Sequence, residues 1–145
     1  MFENVLIATD GSKHSERAAK IGIEIAKLSG GKVISVYVAD TSRMSHLPDD
    51  MLLFSIRDIL MREGKDATDY VEGLARESGV ESEKVVLEGN PGEEILRYAE
   101  QHGASLVVMG SVGRTGLDRF LLGSVAEKVV RNSKAPVLTV PGGRS

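Results

Sequence analysis

The chain has 145 residues, no cysteine and a formal charge of -3 at pH 7. That length fits one domain, which buries about 68–70% of the surface its unfolded form exposes; the lack of thiols excludes disulfides and thiolate metal sites, and three scattered histidines, His14, His46 and His102, leave little for zinc. The charge balance speaks against broad nucleic-acid or acidic-membrane binding, and Val5-Leu6-Ile7 behind Glu3 is too short an apolar run for a signal peptide or a span, so a soluble, cytoplasmic protein is expected.

Short apolar runs bounded by turn residues alternate with longer segments of helical period, which predicts a βαβ succession and a mainly parallel α/β sheet. The first strand is Asn4 to Thr9. A helix starts near Ser12, with Ala18, Ala19, Ile21, Gly22, Ile25 and Ala26 as a mostly small-residue face for the sheet, and Ser29-Gly30-Gly31 ends it. The second strand, Lys32 to Ala39, is rich in β-branched residues, as a strand covered on both faces should be. Residues 40 to 50 show no period, with Pro48-Asp49-Asp50 available to cap the next helix. From Met51 to Ser78, Phe54, Ile59, Leu60, Ala67, Val71 and Leu74 follow helical spacing, roughly 42 Å of helix if Gly64 and Gly73 leave it unbroken. The third strand is Lys84 to Glu88; Gly89-Asn90-Pro91-Gly92 then opens a helix through His102, and Ser105 to Met109 is the fourth strand. Ser124 to Asn132 is the last helix and Pro136 to Val140 the last strand. No linker or low-complexity tract divides the chain, so residues 1–145 read as a single domain.

The richest stretch runs from Leu106 to Ser124, L-V-V-M-G-S-V-G-R-T-G-L-D-R-F-L-L-G-S. A buried-type strand enters a glycine loop, which hands over to a helix start at Gly123-Ser124. Glycines 110, 113 and 116 have no Cβ, so the backbone can take φ > 0 and press its N–H groups against an anion. The helix start adds unpaired N–H donors and the positive end of a dipole. Glycine in a βα loop often serves only to turn the chain, but three spaced glycines ahead of a Gly-Ser helix start favour a phosphate cradle. Ser124 reads either as an N-cap or as a phosphate ligand. Arg114 and Arg119 stand where they would reach phosphates, although loop arginines are usually solvated. Asp10, at the end of the first strand, reads as readily as a helix cap as a functional acid, and Val38 and Met109 taken singly are core residues. The chain has neither G-x-x-x-x-G-K-[S/T] nor G-x-G-x-x-G, which disfavours a Walker-type NTPase and a dinucleotide site.

Gly110, two residues, Gly113, nine residues and Gly123-Ser124 resemble the G-x2-G-x9-G-[S/T] signature of the ATP-binding branch of the universal stress protein family. V-L-I-A-T-D-G-S at 5 to 12, the V-Y-V strand at Val38, G-N-P-G at 89 to 92 and A-P-V-L-T-V at 135 to 140 are similar to family landmarks in family order. The resemblance implies an open, five-stranded, Rossmann-like parallel sheet with helices on both faces, like that of the adenine nucleotide alpha hydrolases, in the order 3-2-1-4-5. Its switch point falls between strands one and four, beside Thr9-Asp10 and Met109-Gly110, where open α/β sheets bind ligands. The implied ligand is ATP, with Mg²⁺ or Mn²⁺ carried on the phosphates. By the same resemblance the Val38 main chain reads the adenine edge, Met109 leans on the adenosine, Ala8 and Thr9 line the wall, and Asp10 faces ribose or metal. The triphosphate would lie over Gly110, Gly113, Arg114, Gly116, Gly123 and Ser124. No catalytic residue and no protein metal site is assigned, because no group is marked as a base or water-orienting residue for phosphoryl transfer.

The implied function is a nucleotide-dependent stress-response module with at most slow hydrolysis. The alternatives are a nucleotide-independent interaction protein of the same fold and an ATP-consuming enzyme on an unknown substrate. The resemblance also implies a homodimer through antiparallel pairing of Pro136 to Val140, with no nucleic-acid or membrane partner.

Overall fold

Val5, Leu6, Ile7, Val33, Val107 and Val108 are all completely or almost completely buried, because the strands that carry them have helices on both faces. The computed structural model describes residues 1–42, 44, 50–112 and 122–142. Its elements run β1 (Asn4–Ala8), α1 (Lys13–Ser29), β2 (Lys32–Asp40), α2 (Asp50–Glu77), β3 (Ser82–Gly89), α3 (Pro91–Gln101), β4 (Leu106–Gly110), α4 (Ser124–Asn132) and β5 (Val137–Val140). The strands form one sheet in the order β3-β2-β1-β4-β5, with parallel pairing throughout. Alternation along the strands sorts the core into two layers. Val5, Ile7 and Val108 pack with Ala18, Ala19 and Ile23 of α1 and Val71 of α2, while Leu6, Val107 and Met109 pack with Ile95 of α3 and Ala126 and Val129 of α4.

Local chemistry explains where the helices begin and end. Ser12 caps α1 by accepting a hydrogen bond from the Ser15 amide, and Gly30 ends it in the left-handed conformation at φ 66°. Asn90 caps α3 in the same way, accepting from the Glu93 amide with Pro91 in the first turn. The strand limits differ from those expected by one or two residues, Thr9 falling outside β1 and Asp40 inside β2.

α2 runs for 28 residues without a break at Gly64 or Gly73. Gly64 lets the helix approach the sheet: a Cβ there would stand 2.6 Å from Tyr37 Cδ1 and 2.9 Å from Val86 Cγ1. Phe54 and Ile59, two of the apolar positions at helical spacing, do not lie on the core face of α2. They are 68% and 56% exposed, because at 100° per residue they stand roughly 100° and 120° to either side of Val71. The buried positions of α2 are Gly64, Ala67, Thr68, Val71 and Ala75.

Lys84 on β3 reaches Asp69 and Glu72 on α2. Hydrogen bonds from Lys65 and then Lys84 hold the Asp69 carboxyl below its ordinary pKa, and the bond to Asp69 raises that of Lys84. Whatever stability the cluster adds is present above the ordinary carboxylate pKa, and is lost as pH falls through the lowered value. The groups are solvent-exposed, so that contribution is small. No helix among the described residues is long and apolar enough to cross a membrane.

Candidate functional site

The site is built where β1 and β4, neighbours in the sheet, send their following segments away from each other. Thr9 N donates to Val36 O at 2.9 Å, Ser111 N to Val140 O at 2.9 Å, and Gly123 N to Ser111 O at 2.7 Å, so the chain that leaves β4 is brought back to its end at Gly123. A cavity of about 380 Å³ opens among these ends. Ala8, Thr9 and Asp10 after β1, Val38 on β2, Met109 and Gly110 on β4, and Gly123 and Ser124 at the start of α4 all line it. Those are eight of the positions singled out from the sequence; Gly113, Arg114 and Gly116 lie outside the described residues, as do Arg119, Pro48 and Asp49.

Two walls offer main-chain hydrogen-bonding groups. In a parallel ladder, residues two apart turn their N–H and C=O to the same side. Val36 faces β1, where its carbonyl takes the Thr9 amide, so Val38 faces the same way, beyond the end of β1 and into the cavity. At the opposite wall, the helix start leaves the N–H groups of Ser124, Val125 and Ala126 without helical acceptors, the first bond of the turn being Glu127 N to Gly123 O at 2.9 Å. None of these three N–H groups is taken by another described residue. The N-cap is Gly123, with no side-chain cap bond, so the N-cap reading of Ser124 is corrected: Ser124 is the first helical residue and its hydroxyl is not needed for capping.

Gly110 does not use the conformational freedom of glycine. It does not adopt positive φ. A Cβ there would meet Val112 O at 3.1 Å and the His14 carbonyl carbon and Cβ at 3.4 Å, so its missing side chain serves close packing against the start of α1. Asp10 Oδ1 accepts from Ser12 N at 2.9 Å, and Ser12, not Asp10, caps α1.

Sequence reasoning missed Ser15, Asp40, Leu60, Glu63, Pro91 and Ile95, which also line the cavity. Pro91 carried a signal, since the G-N-P-G turn places it at a helix start beside a strand end. Leu60 and Glu63 carried none, because their place depends on where a 28-residue helix crosses the sheet. Among the described lining residues there are three carboxylates, Asp10, Asp40 and Glu63, and no lysine or arginine. No group of three metal-ligating side chains occurs among the described residues. A second, smaller cavity of about 240 Å³ lies between the C-terminal ends of α3 and α4. Lys134 lines it, with its pKa raised by a hydrogen bond to Glu100.

Residues 1–141 match the model of the Universal stress protein family. The chain belongs to that family. It is 44% identical over 140 residues to universal stress protein MJ0531 of Methanocaldococcus jannaschii, covering 97% of this chain and 82% of that protein. Its fold is similar to the solved structure of MJ0577 at a TM-score of 0.86 and 30% identity, covering 100% of this chain and 99% of the other. A further universal stress protein, solved in complex with cAMP, has a TM-score of 0.75 and 26% identity, with 97% of this chain and 98% of that one covered.

Proposed function

We propose that this universal stress protein binds an adenine nucleotide, ATP in the first instance, in the crevice between β1 and β4. As a single domain over residues 1–145 it would act as a nucleotide-dependent stress-response module in the cytoplasm. The observation that carries this is the pairing, in one cavity, of an outward-facing Val38 amide edge with three N–H groups at the start of α4 that no other described residue takes. A strand N–H beside a C=O matches the acceptor N1 and donor N6 of adenine, whereas guanine presents a donor N1–H and an acceptor O6, the reverse order. Uncapped helix N–H groups and the positive end of the α4 dipole suit phosphate oxygens. Between them, Ala8, Thr9 and Met109 line the wall and Asp10 offers its second carboxylate oxygen to ribose. Gly110, Gly113, Arg114, Gly116, Gly123 and Ser124 complete the phosphate loop in this reading. The relative solved with cAMP supports an adenine nucleotide as the ligand class.

Three carboxylates, Asp10, Asp40 and Glu63, line the cavity and repel a triphosphate, so the nucleotide is read as carrying Mg²⁺ or Mn²⁺ on its phosphates. Calorimetric titration of ATP into nucleotide-free protein should show binding with Mg²⁺ that weakens roughly tenfold in EDTA, the factor that about 1.4 kcal/mol of uncompensated repulsion makes. GTP should bind more weakly than ATP. No heat with ATP in either buffer would end this reading and leave a nucleotide-independent interaction protein; metal-dependent hydrolysis well above background would promote the ATP-consuming alternative.

The same reading includes a homodimer without nucleic-acid or membrane partners. β5 is one of the two edges of the sheet, and a short apolar edge needs a partner or a cover. Leu138→Asp should convert the protein to monomers in sedimentation experiments. An unchanged mass would mean that Pro136 and Pro141 protect the edge by themselves.

A further inference from the structure

We infer that Thr9 and Ser15 are positioning residues of the nucleotide site, holding Asp10 in place through a directed hydroxyl relay. The inference rests on the reading that Asp10 meets ribose. Ser15 Oγ lies 2.8 Å from Ser12 O, and a carbonyl can only accept, so this bond takes the single Ser15 proton. Ser15 Oγ is also 3.0 Å from Thr9 Oγ1, and with its own proton spent it accepts there, which makes Thr9 the donor. Thr9 Oγ1 in turn accepts from Gly11 N at 3.2 Å. The relay therefore has one assigned direction: Gly11 N–H to Thr9 hydroxyl, to Ser15 hydroxyl, to Ser12 carbonyl.

That chain encloses Asp10. Its neighbours Thr9 and Gly11 are both members, and Ser12 contributes its carbonyl to the relay while its N–H holds Asp10 Oδ1 at 2.9 Å. Gly11 turns at φ 81°, a conformation that L side chains rarely adopt, so the loop is set by these bonds and by glycine together. Thr9 and Ser15 are 8% and 3% exposed, which shields the relay from competing water. Two consequences follow for the site. The Thr9 hydroxyl has no proton left for a ligand, so Thr9 acts on the nucleotide through Asp10. The second Asp10 oxygen is presented at a fixed place, because Oδ1 is anchored.

The test compares ATP with 2′,3′-dideoxy-ATP, which lacks the ribose hydroxyls, in calorimetric titrations with Mg²⁺. Ser15→Ala and the isosteric Thr9→Val should each weaken ATP about tenfold, the cost of loosening one charge-assisted hydrogen bond, and leave dideoxy-ATP within about twofold of wild type. The double variant should be no worse than the poorer single one, since both break the same relay. Equal losses for both nucleotides would make the network merely structural and overturn the inference, and so would unchanged ATP affinity. Asp10→Ala separates the underlying reading. If wild type and Asp10→Ala bind dideoxy-ATP equally but differ for ATP, Asp10 meets ribose; if Asp10→Ala weakens both alike or neither, the ribose contact and the inference fall together.

Discussion

Ser124→Pro should remove most nucleotide binding while leaving the protein folded. Proline at the first position of a helix is tolerated, since its absent N–H is one the helix does not use and its φ suits helix entry. Gly123, just before it, has φ -63° and ψ 159°, which is the conformation that a residue preceding proline prefers. The substitution therefore deletes one donor of the α4 start, together with the hydroxyl, and puts a ring methylene where the N–H stood. A hydrogen bond to a charged phosphate contributes about 1.5–3 kcal/mol, so ATP affinity should fall roughly 10- to 100-fold. Ser124→Ala, which keeps the N–H and loses only the hydroxyl, apportions the effect between the two groups. Unfolding should occur within about 2 °C of wild type for both variants. If Ser124→Pro binds ATP as wild type does, the α4 start is not where the phosphates sit, whatever else the cavity holds.

That experiment can be designed because the ends of β1 and β4 and the start of α4 were legible in the sequence to within a residue. The α4 limits, Ser124 and Asn132, were read as they stand, since a Gly-Ser pair opens the helix and Ser133-Lys134 leaves it. The strand order came from the family resemblance, since neighbouring strands here are joined through helices and leave no local sign of who pairs with whom. Three features escaped for a different reason. The outward turn of Phe54 and Ile59, the Leu60–Glu63 wall and the hydroxyl relay at Ser15 each depend on how one element crosses another. The relay comes nearest to a local signal, because Ser12 and Ser15 are one helical turn apart. Yet only the tertiary placement of Thr9 over α1 turns two serines of an N-terminus into a buried chain.

The Gly110 result has the same origin. Its glycine was read as freedom for the backbone, and the structure uses it as an absence of volume against His14 and Val112 O. A sequence reports that a side chain is missing without reporting which of the two demands removed it. The distinction matters for substitutions, because a left-handed glycine tolerates a Cβ at a modest conformational cost and a close-packed one does not.

Gly30 and Gly31 set these two demands side by side, and Gly31→Ala should be the more damaging of the pair by far. Gly30 has φ 66° at the end of α1 with no atom within 4 Å of an added Cβ, so Gly30→Ala costs about 1 kcal/mol of backbone strain. At Gly31 an added Cβ would stand 2.3 Å from Phe2 O, 2.8 Å from Glu3 O and 3.0 Å from Glu3 C, all main-chain atoms that cannot rotate away. Those atoms also matter to the sheet: Lys32 N donates to Glu3 O at 2.9 Å, directly before the Asn4–Lys32 pair that opens the β1–β2 register. Relieving the clash must push the start of β1 away from β2, so the cost lies near the top of the range for overpacking, about 3 kcal/mol. For a domain of this length that corresponds to a fall in Tm of roughly 6–12 °C, against roughly 2–4 °C for Gly30→Ala. Thermal unfolding of the two variants beside wild type checks the ranking, and equal shifts would mean that the chain before β1 yields freely. The overlap sits at the N-terminal end of the strands, while the cavity lies at their C-terminal ends, so ATP affinity of folded Gly31→Ala measured well below its Tm should match wild type.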